Sequence, residues 1–209
     1  MIKNLLFDLG GVIMDIRRQN CEAAFRRLGM NDIDRFLGDY GQKGPFLKLE
    51  EGKITEEEFR EEVRRHIPED VDDAAIDNAF NQFLVGIPLR RLQELRKLHE
   101  RFGIYLLSNT NSIMWNSRIA EEFRQEGLQL HDYFDGTVTS FEEKCIKPDA
   151  EIFERVVSKL GIQPEETLFF DDSQANVDAA AALGFNIMHV APGKEFYDLI
   201  AEKGPRITT

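Results

Sequence analysis

The sequence predicts an α/β protein whose core is a doubly wound, Rossmann-like parallel sheet that carries an inserted helical cap. The first observation is a set of short, unbroken apolar runs that each end in polar residues, as is typical of strands buried on both faces of a parallel sheet. The second is a regular alternation of helix and strand patterns after Pro88, and the third is a long stretch before it with helix patterns alone. We therefore expect a core domain of residues 1–16 and 87–209 and a cap domain of residues 17–86.

The first strand is predicted in the run Asn4-Leu5-Leu6-Phe7, which is followed by an aspartate and, shortly after, by two glycines. Open α/β sheets bind ligands at the carboxyl ends of their strands, so Asp8 lies where a ligand site is expected. Gly10 and Gly11 allow a sharp turn and a close approach of a ligand to the backbone. A lone aspartate after a strand is more often a turn or capping residue, so its meaning depends on the rest of the chain.

The stretch that follows is predicted to be a compact helical insert without a convincing strand. Thr55 followed by Glu58 forms a capping-box pattern, which indicates the start of a helix. Glycines and prolines separate the helical patterns. Helices are predicted within 17–36, where Gly29 ends the helical spacing, and over 46–51, 55–66 and 72–84.

Strands and helices alternate after Pro88 with short connections, which indicates a parallel sheet. Because the carboxyl ends of parallel strands share one edge, we expect Asp8, Ser108, Lys147 and Asp172 to converge there. Strands are predicted over 104–107, 136–139, 167–170 and 186–190, and helices over 89–102, 116–125, 149–160, 175–183 and 194–203.

The composition excludes several functional classes. A chain of 209 residues with 42% hydrophobic residues is an ordinary globular sequence. Its net charge of −12 argues against a general affinity for nucleic acid or anionic membranes, which bind clustered lysines and arginines. The chain starts directly with the first strand, and it has neither a membrane-spanning apolar run nor metal-spaced cysteines. We expect a cytoplasmic protein that is a monomer or a weak homodimer.

Four segments, in order, resemble the motifs of the haloacid dehalogenase (HAD) superfamily of hydrolases. The resemblance covers nearly the whole chain, and the sequence is similar to the branch with sugar-phosphate phosphatases and the phosphatase domain of soluble epoxide hydrolase. The insert occupies the position of that superfamily's cap, which implies a lid over the substrate with hinges near residues 15–16 and 86–88. The segments are Phe7-Asp8-Leu9-Gly10-Gly11-Val12, Leu107-Ser108-Asn109-Thr110, Lys147-Pro148 and Phe170-Asp171-Asp172-Ser173.

The same residue types suit phosphate ester hydrolysis. A phosphate monoester repels nucleophiles, so a site must collect positive charge and present a nucleophile in line with the leaving group. A carboxylate can attack to give an aspartyl-phosphate, and Asp8 is the predicted nucleophile. Mg²⁺ takes carboxylate oxygens, for which Asp8 and Asp172 are the candidates.

The remaining site residues have supporting roles in this prediction. Lys147 would neutralise phosphate and nucleophile, and Ser108 with the Asn109 amide would donate to phosphoryl oxygens. Gly11 is also expected to bind substrate, and the resemblance implies the Gly10 carbonyl as a metal ligand. Asp171 is expected to accept from a metal-bound water, although direct ligation stays open. Taken singly, Lys147 is also compatible with a solvated loop residue, and Asp171 and Asp172 with a helix-capping pair.

One position departs from the family pattern. Phosphatases of the superfamily usually carry a second aspartate two residues after the nucleophile, which protonates the leaving oxygen, and here that residue is Gly10. The proton then comes from water or from another residue, for which Asp15 is a candidate. Alternatively, the enzyme is slow, since a lost general acid costs roughly 10²–10⁴ in rate.

The sequence thus predicts a Mg²⁺-dependent phosphatase that acts on a small phosphorylated metabolite, such as a sugar phosphate. A metal-independent 2-haloacid dehalogenase is one alternative, but it has no use for the pair Asp171 and Asp172. A catalytically weak binding protein with the same fold is the other. Substrate identity is not readable from the residues.

Overall fold

The computed structural model describes residues 1–38 and 41–203. Residues 39–40 of the predicted cap and 204–209 of the predicted core lie outside the described residues. The strands are β1 (Asn4–Phe7), β2 (Asp15–Ile16), β3 (Leu84–Gly86), β4 (Gly103–Ser108), β5 (Gly136–Thr139), β6 (Thr167–Asp171) and β7 (Asn186–His189).

Helices connect the strands and form most of the segment between β2 and β3. Two further turns, Ile33–Arg35 and Pro164–Glu166, are 3₁₀ helices, and Trp115–Ile119 is a π-helical turn. The α-helices are α1 (Arg18–Arg27), α2 (Gly44–Glu50), α3 (Glu56–Arg64), α4 (Asp73–Asn81), α5 (Leu89–His99), α6 (Ser112–Met114), α7 (Ala120–Glu122), α8 (Leu130–Tyr133), α9 (Ser140–Glu143), α10 (Ala150–Leu160), α11 (Gln174–Ala182) and α12 (Phe196–Lys203).

Five strands form a parallel sheet in the order β5-β4-β1-β6-β7, which confirms the predicted doubly wound fold. β1 is central, and its Leu5 lies between Ile104 of β4 and Leu168 of β6. The next residue, Leu6, faces the opposite side and packs in a second buried cluster with α10 and α11. Burial on both faces explains why the strand sequences are unbroken apolar runs.

The segment of residues 17–86, which we call the cap segment, is mostly helical as predicted. Phe46 is fully buried at its centre, with its ring 5.0–5.3 Å from those of Phe25, Phe59 and Phe80. These aromatic residues belong to the same buried cluster as Leu5 of the sheet, so the cap segment packs continuously onto one face of the core.

Within the run 17–36 the first helix extends to Arg27, next to its predicted end at Gly29, and the 3₁₀ turn follows. The helical prediction was too broad at the other end of the segment. The segment also reaches β3, a strand that pairs antiparallel with β2 and was not predicted. Strands of two or three residues are too short to show an alternating pattern. This pair lies at both predicted hinges, while the boundaries of the two domains stay a prediction.

The helix predicted over 116–125 begins earlier, at Ser112, where Asn111 Oδ1 accepts a hydrogen bond from the Met114 N–H. It passes through the π-helical turn and ends at Glu122. Within the described residues no helix is long and apolar enough to cross a membrane.

Candidate active site

The carboxyl ends of three neighbouring strands bring predicted site residues together. Asp8 directly follows β1, Ser108 ends β4, and Asp171 ends β6. Because β1 pairs with β4 on one side and β6 on the other, these residues lie side by side. The strand order reverses at β1, and doubly wound sheets bind ligands at such a point.

Lys147 reaches this edge from the loop between α9 and α10 and lies at the centre of the cluster. Its side chain is buried, and its Nζ atom lies 2.7 Å from both Asp8 Oδ1 and Asp171 Oδ2. Nζ also donates to the Leu107 carbonyl at 3.3 Å. Burial lowers the pKa of Lys147, but the charges of Asp171 and Asp8 outweigh burial and raise this pKa above its usual value. The buried ammonium therefore stays charged between two carboxylates.

Asn109 positions Lys147 through its side chain. Its Oδ1 accepts from the Lys147 main-chain N–H at 2.9 Å, and its Nδ2 donates to the Lys147 carbonyl at 3.0 Å. The Asn109 side chain is therefore occupied, and a substrate contact of its main-chain N–H stays a prediction. Ser108 is buried and lines the cavity beside these residues, while donation from its hydroxyl to substrate stays a prediction.

Three carboxylates meet around this single ammonium. One oxygen from each of Asp8, Asp171 and Asp172 lies within 4.8 Å of the others. Burial, followed by the neighbouring carboxylates, raises the pKa of Asp8 to about 8, although Lys147 opposes the shift. Burial and the charge of Asp171 raise the pKa of Asp172 to about 6. The excess of negative charge favours an additional cation, and a cation bound here would lower the pKa of Asp8 and favour its ionised form.

The three carboxylates differ in how many hydrogen bonds they already accept, and therefore in which oxygens are left to bind a cation. Asp171 is fully buried, and its oxygens accept from Lys147 Nζ, the Ser173 N–H and Asn176 Nδ2. Asp8 accepts from the Leu9 N–H and from Lys147 on the same oxygen, Oδ1, at 2.7 Å each. The half-buried Asp172 lines the cavity. Buried oxygen ligands of this kind fit Mg²⁺, a hard cation that accepts one or two carboxylates with waters.

The two glycines after Asp8 form a tight turn. The Gly11 N–H donates to the Met14 carbonyl and the Met14 N–H to the Leu9 carbonyl, so the turn does not use the Gly10 carbonyl. Gly11 has a φ of +76°, and a β-carbon on it would collide with the Asp172 carboxylate. Glycine at this position therefore allows Asp172 to approach, while substrate binding by Gly11 stays a prediction.

A cavity of about 140 Å³ opens above the cluster, between the sheet edge and the cap segment. The core contributes the charged cluster together with apolar side chains such as Met14 and Ile146, and the cap segment contributes mostly apolar groups. The polar core residues include Asp8, Ser108, Lys147, Asp172 and Asn176, and the described cap residues are Gly41, Gln42, Leu47, Glu50, Phe80, Phe83 and Leu84.

Glu50, which ends α2 and is half-buried, is an acid in this cavity that was not predicted. Burial, with a smaller contribution from Glu51, raises the pKa of Glu50 to about 8. A signal for it was absent from the sequence, because two consecutive glutamates at the end of a short helix are typical of a solvated surface.

Asp15, the candidate for the missing acid, has a different role. It belongs to β2, and its Oδ1 accepts from Arg91 Nη1 at 2.7 Å. Arg91 Nε also donates to Glu195 Oε2 at 2.8 Å, so Asp15 is part of an ion-pair network behind the turn. It is not among the described residues that line the cavity.

Comparison with known proteins identifies a family match over most of the chain. The family model described as haloacid dehalogenase-like hydrolase matches residues 2–184. The D-ribitol-5-phosphate phosphatase of Bacteroides thetaiotaomicron is 36% identical over 196 residues, which are 94% of this chain and 95% of that protein. The sesquiterpene phosphatase astK of Aspergillus oryzae is 41% identical over 192 residues, which are 90% and 89% of the two chains.

The fold also matches a solved structure closely. A wild-type HAD family enzyme of Bacteroides thetaiotaomicron, in complex with magnesium and inorganic phosphate, superposes with a TM-score of 0.89. It is 41% identical, and the match covers 96% of this chain and all of that one.

Proposed function

Because the chain belongs to the haloacid dehalogenase-like hydrolase family, we propose that it is a Mg²⁺-dependent phosphatase of small phosphorylated metabolites. The observation that carries this proposal is the cluster of Asp8, Asp171 and Asp172 at the sheet edge, where the Lys147 ammonium bonds to Asp8 and Asp171. The printed names of two phosphatase relatives and the magnesium and phosphate in the similar structure support it.

In this proposal Asp8 is the nucleophile. Its Oδ1 is held by the Leu9 N–H and by Lys147, which orients the carboxylate and leaves Oδ2 for attack on phosphorus. A phosphorus–oxygen bond to Oδ2 forms, and the bond to the leaving oxygen breaks with its electron pair on that oxygen. Water then attacks the aspartyl-phosphate and restores the Asp8 carboxylate. Lys147 and the Ser108 hydroxyl stabilise the phosphoryl charge.

Asp8, Asp172 and the Gly10 carbonyl are the proposed ligands of Mg²⁺. When bound, Mg²⁺ supplies positive charge that brings the anionic nucleophile and the phosphate together. Asp171 is assigned to the surrounding shell, since its oxygens already accept hydrogen bonds from Lys147, Ser173 and Asn176. In that position it holds Lys147 in place.

A phosphorylated carbohydrate or polyol is the proposed substrate class. The cavity, at about 140 Å³, is small beside the roughly 300–1,000 Å³ of sites for drug-sized ligands. The cap segment places the polar side chains of Gln42 and Glu50 among its apolar ones, and hydroxyl groups can bond to both.

A screen of phosphate esters with and without Mg²⁺ tests the function. It includes p-nitrophenyl phosphate, D-ribitol 5-phosphate and an isoprenoid phosphate. We expect Mg²⁺-dependent release of phosphate. Its rate should fall by about 10³-fold or more in Asp8→Asn. It should be unchanged in Asp178→Asn, which alters an exposed aspartate on α11. Chloride release from a 2-haloacid without phosphate release would indicate a dehalogenase, and no turnover at all would indicate a binding protein.

A further inference from the structure

The proposed phosphatase chemistry has no acid at the position that the family normally uses. Gly10 has no side chain, yet an alkoxide leaves a phosphate ester readily only when it receives a proton. Asp15 is bonded to Arg91 outside the cavity. The inference below rests on the proposed function and concerns the source of this proton.

Glu50 has the placement that such an acid requires. It lines the same cavity as Asp8 and Lys147 and belongs to the cap segment, and in this proposal the leaving group occupies the cap side of the cavity. Its neighbour Glu51 does not line the cavity and pairs with Lys53 at 2.8 Å. The side chain of Glu50 therefore has a different environment from that of the adjacent glutamate.

The Glu50 carboxyl is not held by a counter-charge from any described residue. In the described parts of the chain it has neither a hydrogen bond nor an ion pair. Lys147 is the single cation among the described residues of the cavity, and its ammonium is bonded to Asp8 and Asp171. The other ionisable residues described in the cavity, Asp8 and Asp172, carry carboxyl groups.

These surroundings decide the protonation of Glu50. Burial raises the pKa of Glu50 to about 8, which favours the protonated carboxyl at neutral pH. A neutral carboxyl also avoids repelling the phosphate dianion, and it can donate where a carboxylate cannot.

A second polar group on the cap side supports a hydroxyl-bearing leaving group. Gln42, two residues before α2, lines the cavity, and its buried Oε1 has no hydrogen-bond partner among the described residues. A substrate hydroxyl would satisfy this oxygen, since a buried acceptor without a partner is costly. It would also hold the leaving group on the side of the cavity where Glu50 lies.

We propose that Glu50 is the catalytic acid that protonates the leaving oxygen, and afterwards the base that accepts a proton from the attacking water. In the first step Asp8 Oδ2 bonds to phosphorus, the ester bond breaks, and the Glu50 proton moves to the leaving oxygen. In the second, water bonds to phosphorus, its proton moves to Glu50, and the bond to Asp8 breaks. Both residues return to their starting states.

Pre-steady-state kinetics of Glu50→Gln test this assignment. Glutamine matches the neutral carboxyl in size and charge but transfers no proton. The substrates are p-nitrophenyl phosphate, whose leaving group is acidic and needs no proton, and the alkyl phosphates D-ribitol 5-phosphate and glycerol 3-phosphate. Glu51→Gln is the matched control, and Glu50→Asp tests whether a displaced acid restores part of the rate.

The expected result separates the two steps. In Glu50→Gln, the rate with both alkyl phosphates falls about 10²–10⁴-fold. The first turnover of p-nitrophenyl phosphate stays within a few-fold of wild type, and a burst of one p-nitrophenol per enzyme precedes a slow steady state. Glu51→Gln behaves as wild type, and Glu50→Asp lies between the two.

Other outcomes overturn the assignment of Glu50. An equal loss for all three substrates in the first turnover would indicate a structural role, and a raised KM with unchanged kcat would indicate hydroxyl binding. Wild-type activity of the Glu50→Gln variant also contradicts it. So does a wild-type enzyme that turns over p-nitrophenyl phosphate but neither alkyl phosphate. If the wild type turns over none of the three, the proposed function itself fails.

Discussion

Lys147 is the residue whose charge holds the buried carboxylates together. Its ammonium contacts Asp8 and Asp171, and the Asp171 side chain has no exposure to solvent. A buried carboxylate that loses its partner keeps its full desolvation penalty. The residue therefore contributes to folding as well as to the proposed chemistry.

We predict that Lys147→Met destabilises the fold by about 3–5 kcal/mol, because it leaves Asp171 without its ammonium partner. Urea unfolding in EDTA measures the change. Lys159→Met, which removes an exposed ion pair with Glu143, should cost less than about 1 kcal/mol. Adding Asp171→Asn to Lys147→Met should recover part of the loss. Equal stabilities of the two lysine variants would contradict this prediction.

The pKa of Glu50 also predicts how stability depends on pH. The folded protein keeps the Glu50 proton up to about pH 8, whereas the unfolded chain releases it near the usual value of 4.5. Between these values the unfolded state binds fewer protons, so this residue lowers the free energy of unfolding as pH rises. Below pH 4.5 both states carry the proton, so Glu50 no longer changes the free energy of unfolding with pH.

Glu50→Gln should therefore become more stable relative to wild type between pH 5 and pH 8 by about 1–3 kcal/mol. Chemical denaturation at several pH values in EDTA measures the difference. A constant difference between Glu50→Gln and wild type over this interval would show that Glu50 is ionised in the folded state.

Among the elements, the short pair β2–β3 and the loop before it connect the cap segment to the core. Arg91 of α5 donates to the Ile13 carbonyl at 3.1 Å and to Asp15 of β2, and its other nitrogens bond to Glu195. This network anchors the entry to the cap segment at a fixed point of the core. The orientation of α2, and with it of Glu50, depends on such anchors.

The aromatic cluster inside the cap segment holds its helices together. Phe46 of α2 contacts aromatic rings of α1, α3 and α4, and it is fully buried. We predict that Phe46→Ala costs about 3–5 kcal/mol, since removing a buried ring leaves a cavity. Urea unfolding measures the loss, and limited proteolysis should cleave first within residues 17–86. Leu89→Ala, on an exposed side chain, should cost under about 1 kcal/mol.

For the whole molecule, the net charge of −12 and the three clustered carboxylates make cation binding a source of stability. An ion that binds only the folded state stabilises it by about 2.7 kcal/mol at 100 times its Kd. The effect belongs to the complete fold, because the carboxylates come from strands far apart in the chain.

We therefore predict that Mg²⁺ raises Tm by several degrees and that EDTA reverses the change. Asp172→Asn should lose most of this increase, because it removes a proposed ligand. Asp178→Asn, which changes the net charge equally, should keep it. Thermal unfolding over a Mg²⁺ titration measures the shifts, and an equal response of the two variants would contradict the ligand assignment.

Much of the fold was predictable because buried parallel strands have unbroken apolar sequences. Leu5 and Leu6 face opposite sides of the sheet, and both are buried. The pair β2–β3 was not predictable, since two or three residues show no periodicity. The π-helical turn at Trp115 was also missed, because it inserts a residue without changing the helical composition of the segment.

The layered α/β architecture and the order of the polar residues could be read from the amino-acid sequence, since strand periodicity is a local property. Proximity in space is not local, and the packing of the folded chain brings Lys147 against both Asp8 and Asp171. It also decided that Asp15 pairs with Arg91 while Glu50 lines the cavity. Burial changes the protonation of a carboxyl group, and burial depends on how the cap segment packs over the sheet.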